Sequence, residues 1–214
     1  FIIGVDEKFR RRSDLGRKTF ENLKKRFAGL VHEDGTSIFK ENKADSSAKI
    51  HKFLYKTDQF DAYINLHFVD PDHDNWDEFI GDIMIESDVM VYAGHSAEGY
   101  YFDPGRIFDE TGREFIPKKY QIIFMDSCTS WSYFNKNYFD FKSTPRSDPK
   151  GTKYLDFVTN AIGAPFLADA DSKHLSTSVS RPSNSYFLVM SLLGMKADGS
   201  PLKKLNSWQN ILDN

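Results

Sequence analysis

Asp88-Val89-Met90-Val91-Tyr92-Ala93-Gly94-His95 and Tyr120-Gln121-Ile122-Ile123-Phe124-Met125-Asp126-Ser127-Cys128 decide the fold of this chain. Each begins as a nearly unbroken apolar run of strand length, the pattern of a central parallel strand covered on both faces. Each then breaks into polar residues, a histidine in the first and the chain's single cysteine in the second. Ligands of open parallel sheets gather beyond the carboxyl ends of the strands. If these two strands are neighbours, His95 and Cys128 meet at one edge, where an imidazole can promote ionisation of a thiol and later protonate a leaving amine.

Outward from this pair, strand runs alternate with helical ones. Phe1 to Val5 is a short buried strand. Gly16 to Val31 repeats Phe20, Leu23, Phe27 and Leu30 at helical spacing. Ser46 to Tyr55 reads as a second helix capped by Ser47, and Tyr63 to Val69 as a strand. Asp74 has the look of an N-cap before a helix carrying Trp76, Phe79, Ile80 and Ile83. Acids at 70, 72 and 74 also suit a calcium loop, but Asn75 stands where that loop needs Gly and Gly81 where it needs an acid. Between the two deciding strands, Tyr100 to Phe108 reads as a β-hairpin turning at Asp103-Pro104-Gly105.

Beyond Cys128, Trp131, Phe134, Tyr138 and Phe141 form a stripe on one predicted helix, and Lys142 to Lys153 is a polar, exposed loop. Tyr154 to Ile162 is predicted helical, Pro165 to Ala170 a strand, Ser183 to Leu193 a buried helix and Ser207 to Leu212 a short last helix. The alternation implies an α/β fold, a mostly parallel central sheet with helices on both faces.

The residues from Tyr92 to His95 and from Met125 to Ser130 resemble the metacaspase pattern, in which one strand ends in Ser-Gly-His-Gly and the next in Asp-Ser-Cys-His-Ser-Gly. The interval of 33 positions from His95 to Cys128 is more similar to the gingipain branch. The likeness covers about Tyr63 to Tyr133. It implies a caspase-like three-layer sandwich and a cysteine endopeptidase, with His95 and Cys128 as catalytic dyad and backbone N–H groups of Ser96 and Cys128 holding the oxyanion. Asp126 matches the acid that helps the family accept Arg or Lys at the cleaved position; an Asp at a strand end also commonly accepts backbone N–H bonds. Ser96 stands where the family has Gly, Thr129 where it has His, and Trp131 where it has the Gly after Ser130. Ser96 favours the competing reading of an inactive caspase-like binding or scaffold domain, and a hydrolase of non-peptide amides or esters stays open.

Bulk composition narrows the partners. At 214 residues the chain suits one core, so 1–214 is read as a single domain, with Phe1 at the edge of a processed or truncated product. A formal charge of -3 carries no basic excess, which argues against nucleic acid or an anionic membrane; Arg10, Arg11 and Arg12 read as a solvated run. No apolar stretch reaches membrane-span length, and the resemblance implies a peptide or protein substrate as partner. One cysteine allows no internal disulfide. His174 beside Asp169 and Asp171 lacks zinc-site spacing, and His32, His51, His67 and His73 lack the context of His95, so neither metal nor cofactor is expected.

Overall fold

Val89–Ala93 and Gln121–Asp126 are neighbouring parallel strands, paired from Val89 opposite Ile122 to Ala93 opposite Asp126. They belong to a computed structural model that describes residues 1–6, 14–72, 75–134, 136–161 and 181–202, without the side chains of 181–185. The elements in order are β1 (Ile2–Gly4), α1 (Leu15–Gly29), β2 (Lys40–Glu41), β3 (Ile50–Lys56), β4 (Asp61–Val69), α2 (Trp76–Glu86), β5 (Val89–Ala93), α3 (Pro104–Thr111), β6 (Gln121–Asp126), α4 (Ser130–Phe134), α5 (Asn137–Lys142), β7 (Leu155–Thr159) and α6 (Arg181–Leu192). This is an α/β chain, and it divides into two compact units: Phe1–Gly16 with Val69–Phe166, and Arg17–Phe68 with Leu167–Asn214.

The first unit holds four parallel strands in the order β1-β5-β6-β7. Because side chains alternate along a strand, Met90 and Tyr92 on β5, Ile123 and Met125 on β6, and Leu155 and Phe157 on β7 share one apolar cluster. Helices α2 to α5 supply its other wall, through Trp76, Ile80, Met84, Ile107, Phe108, Phe134 and Tyr138. Rings interlock edge to face here, Trp76 on Phe102 at 5.2 Å and Phe134 on Tyr138 at 5.9 Å. In the second unit, β3 pairs antiparallel with β2 and β4. The predicted stripe of α1 packs there, Phe27 touching Phe39, Phe53 and Tyr186.

Four local readings are corrected. Ser46 to Tyr55 is not a helix: β3 begins at Ile50. Ser47 Oγ does accept from the N–H groups of Lys49 and Ile50, as a cap would, but the chain then runs extended and alternates buried His51 and Phe53 with less buried neighbours against β4. Tyr100 to Phe108 is not a hairpin but a 3-10 turn over Ala97–Phe102 followed by α3. Asp103 caps that helix, its carboxylate accepting from Gly105 N–H at 2.9 Å, and Pro104 fills the first position, where its missing N–H costs nothing.

The stripe from Trp131 to Phe141 is divided between α4 and α5; Phe134 and Tyr138 are buried whereas Trp131 and Phe141 are exposed. Tyr154 to Ile162 contains the strand β7, since pairing with β6 outweighs its helical spacing. The helix α2 starts at Trp76 with Asn75 as N-cap residue; Asp74 lies outside the described residues, as do Pro165 to Ala170 and Ser207 to Leu212.

The polar segment from Lys142 to Lys153 is stapled. Thr144 and Asp148 exchange backbone hydrogen bonds, and the Asp148 carboxylate accepts from Thr152 and Lys153 N–H. Lys142 itself is fully buried, donating to the carbonyls of Ile116 and Lys119 beside the Phe115 ring. Burial, with a smaller push from Lys119, lowers its ammonium from 10.5 to about 8. Between those two pH values the unfolded chain holds a proton that the folded chain has released, so stability from this site rises with pH. In urea denaturation, the difference in unfolding free energy between the native chain and Lys142→Met should therefore move in favour of the native chain from pH 7.5 to pH 10; a difference flat with pH would remove this account.

Candidate functional site

The parallel ladder of β5 and β6 runs one rung past the strands, where Gly94 N–H donates to the Asp126 carbonyl at 3.4 Å. His95 and Cys128 each stand two residues beyond the paired Ala93 and Asp126. Both therefore follow the carboxyl ends of adjacent parallel strands, at the same edge of the sheet.

His95 is held from both sides. The Tyr92 hydroxyl donates to the His95 carbonyl at 2.7 Å. That phenol is wholly buried against Phe102, with ring centroids 4.3 Å apart, and burial pushes its ionisation far up, so it remains a donor. Gly94 makes room for it, since a Cβ there would lie 2.4 Å from the Tyr92 oxygen and 2.6 Å from Cζ. On the imidazole, Nε2 faces the backbone carbonyl of Asp6 at 2.7 Å and the Asp6 carboxylate at 3.4 Å. A carbonyl only accepts, so this contact assigns the neutral ring's proton to Nε2 and leaves Nδ1 as the basic nitrogen.

Asp6 was not singled out from the sequence. The signal was present: Ile2-Ile3-Gly4 is a third apolar strand, β1 pairs with β5 through Ile2 opposite Tyr92, and Asp6 ends that run at the same edge. Its position is itself fixed, for Asp6 N–H donates to the Asp14 carboxylate at 3.0 Å.

Backbone strain gathers at the same place. Among the described residues, the non-glycine residues with left-handed φ are Ala97 at 46°, Glu98 at 54° and Thr129 at 45°, all within three positions of His95 or Cys128. Each such residue costs on the order of 1–2 kcal/mol, and strain of this kind clusters where geometry serves function. Ser96 is buried, so its hydroxymethyl group packs inward instead of standing out in solvent. Gly99 continues the strained turn at φ 91°, and a Cβ on it would meet Cβ of Tyr133 at 2.8 Å. The turn after His95 therefore packs directly on α4, the helix after Cys128.

Asp126 is 7% exposed and accepts the side-chain amide of Asn160 at 2.8 Å. Asn160 lies just after β7, in the segment whose helical reading hid it. Its amide also reaches the Ser127 carbonyl at 3.4 Å, its N–H donates to Ser130 Oγ at 2.9 Å, and its carbonyl accepts from Trp131 N–H at 3.0 Å. Ser130 Oγ in turn donates to the Met125 carbonyl at 3.0 Å.

Of the remaining histidines, three are among the described residues. His51 contacts the Glu41 carboxylate at 2.7 Å, burial lowers His67 to about 3, and His32 is exposed. His73, His174, Asp169, Asp171 and Arg10 to Arg12 lie outside the described residues. Among the described residues no group of three or more His, Cys, Asp or Glu side chains is arranged to hold a metal, and no helix is long and apolar enough to cross a membrane. No protein-family model, curated protein or solved structure matches the chain.

Gly94 is the residue this geometry leaves least room to change. Gly94→Ala should displace the buried Tyr92 phenol and lower unfolding free energy by about 2 kcal/mol, as overpacking does. Chemical denaturation measures it; a loss below about 0.5 kcal/mol would mean that the phenol is not confined there.

Proposed function

We propose that this chain is a cysteine endopeptidase of caspase-like architecture, with Cys128 as nucleophile and His95 as its acid and base. The observation that supports the proposal is the parallel pairing of β5 with β6, since His95 and Cys128 each follow the carboxyl end of one of these neighbouring strands. Chemically, Nδ1 of His95 would take the thiol proton while Asp6 holds Nε2. The thiolate would add to the peptide carbonyl, and the backbone N–H groups of Ser96 and Cys128 would receive the oxyanion. Collapse of that adduct breaks the C–N bond as His95 returns its proton to the departing amine, leaving a thioester. A water molecule, deprotonated by the same nitrogen, then hydrolyses the thioester and restores the thiol.

The preference for Arg or Lys rests on Asp126. A buried carboxylate at the end of β6 would favour a guanidinium or ammonium over a neutral side chain by charge-assisted hydrogen bonding.

Cys128→Ala and His95→Ala should each lower peptide hydrolysis by about a thousandfold or more, with circular dichroism unchanged because both residues follow the strands rather than fill the core. Turnover like the native chain's in either variant would end the assignment. On a panel of fluorogenic peptides differing only at the cleaved position, Arg and Lys should be preferred and Asp126→Asn should flatten that preference; an acidic or large apolar optimum would remove the specificity claim and leave the dyad standing.

A further inference from the structure

Cys128 and Thr129 form a two-residue bend bracketed by contacts, four of which converge on one residue. Before the bend, the Asp126 carboxylate and the Ser127 carbonyl face the Asn160 amide. After it, Ser130 Oγ accepts from Asn160 N–H, and Trp131 N–H donates to the Asn160 carbonyl. The bend itself carries Thr129 at φ 45°, a conformation that persists only where surrounding structure over-determines it. Asp126, Ser127 and Ser130 are all buried while Asn160 is half-buried, so these bonds are partly shielded from competing water, and the two made by the amide give the side chain a task separate from its backbone.

We infer that Asn160 is a positioning residue for Cys128: its side-chain amide clamps the strand end before the bend while its backbone clamps the helix start after it, holding the thiol at the sheet edge it shares with His95. The inference rests on the reading of His95 and Cys128 as a working pair. It assigns the amide a defined polarity, with Nδ2 donating and Asp126 accepting. Asn160→Asp would set two carboxylates against each other, whereas exchanging the two residues would rebuild one amide-to-carboxylate bond in the opposite sense.

The test reads the thiol without any substrate. Cys128 is the chain's single cysteine, so its alkylation by iodoacetamide can be followed by intact mass from pH 5 to pH 9 in the native chain and in His95→Ala, Asn160→Ala, Asn160→Asp, Asp126→Asn and the Asp126→Asn/Asn160→Asp double variant. Near pH 6.5, alkylation of Asn160→Ala and Asn160→Asp should be slower by about ten- to a hundredfold, the effect of a displacement of around 1 Å. Their pH profiles should coincide with that of His95→Ala. The double variant should return to within about threefold of the native rate while Asp126→Asn alone does not. Loosening of the fold alone would do the opposite, exposing the thiol and speeding alkylation at every pH.

Native rates in Asn160→Ala, faster alkylation in it, or a double variant that folds and stays slow would each overturn the inference. If Asn160→Ala does not fold, the double variant against Asp126→Asn decides it. A native profile already identical to that of His95→Ala would instead overturn the pairing of His95 with Cys128, and the inference with it.

Discussion

Five paired positions, Val89 to Ala93 on β5 against Ile122 to Asp126 on β6, fix the level at which each strand leaves the sheet. Everything at the site depends on that register. A slip by one residue would move Cys128 about 3.3 Å along the strand relative to His95. It would also turn Ile123 and Met125 away from the cluster they share with Met90 and Tyr92. The apolar core thus specifies the register, and the register specifies where the chain leaves the sheet ahead of His95 and Cys128. Neither His95 nor Cys128 has to contribute to folding for its position to be determined.

Beyond the last rung no ladder constrains the chain, and other contacts take over. Tyr92, although a core residue, sends its hydroxyl back to the His95 carbonyl over the bare Gly94. Asp6 holds the outer nitrogen of the ring from the neighbouring strand β1. Asn160 does the corresponding work for the bend at Cys128 from β7 on the opposite side. The two central strands are therefore supported at their ends by the two flanking ones. Buried hydrogen bonds contribute on the order of 1 kcal/mol each, which is comparable with the cost of each left-handed residue at Ala97, Glu98 and Thr129. The turns hold their shape because several such bonds act on each.

Strands β5 and β6 were legible because burial on both faces leaves little but apolar side chains, and α1 because Phe20, Leu23 and Phe27 all face one way. Elsewhere the local signal was real but ambiguous. Ser47 accepts two backbone N–H groups whether a helix or a strand follows, and only pairing with β4 decides between them. Asp103-Pro104-Gly105 begins a turn or a helix with equal ease, and burial of Ile107 and Phe108 decides for the helix. Leu155, Phe157 and Val158 satisfy either periodicity, and the open edge of β6 selects a strand. Asp6 and Asn160 were hidden for a related reason. Their importance lies in what stands beside them in space, 89 and 34 residues away in sequence from His95 and Asp126.

The connection between His95 and Cys128 shows how little of a chain a pair of strand ends constrains. From His95 the backbone makes the strained turn, runs through the 3-10 segment to Phe102, and returns along α3 to the start of β6. Its duties are to cover the sheet and to deliver β6 parallel to β5. Phe102 discharges the first by lying against Tyr92 and Trp76, and Asp103 with Pro104 discharges the second by starting the return helix at a defined residue. Many sequences could meet those requirements. The site by contrast needs particular residues at a few strand ends, with a Gly where Tyr92 folds back and an amide opposite Asp126.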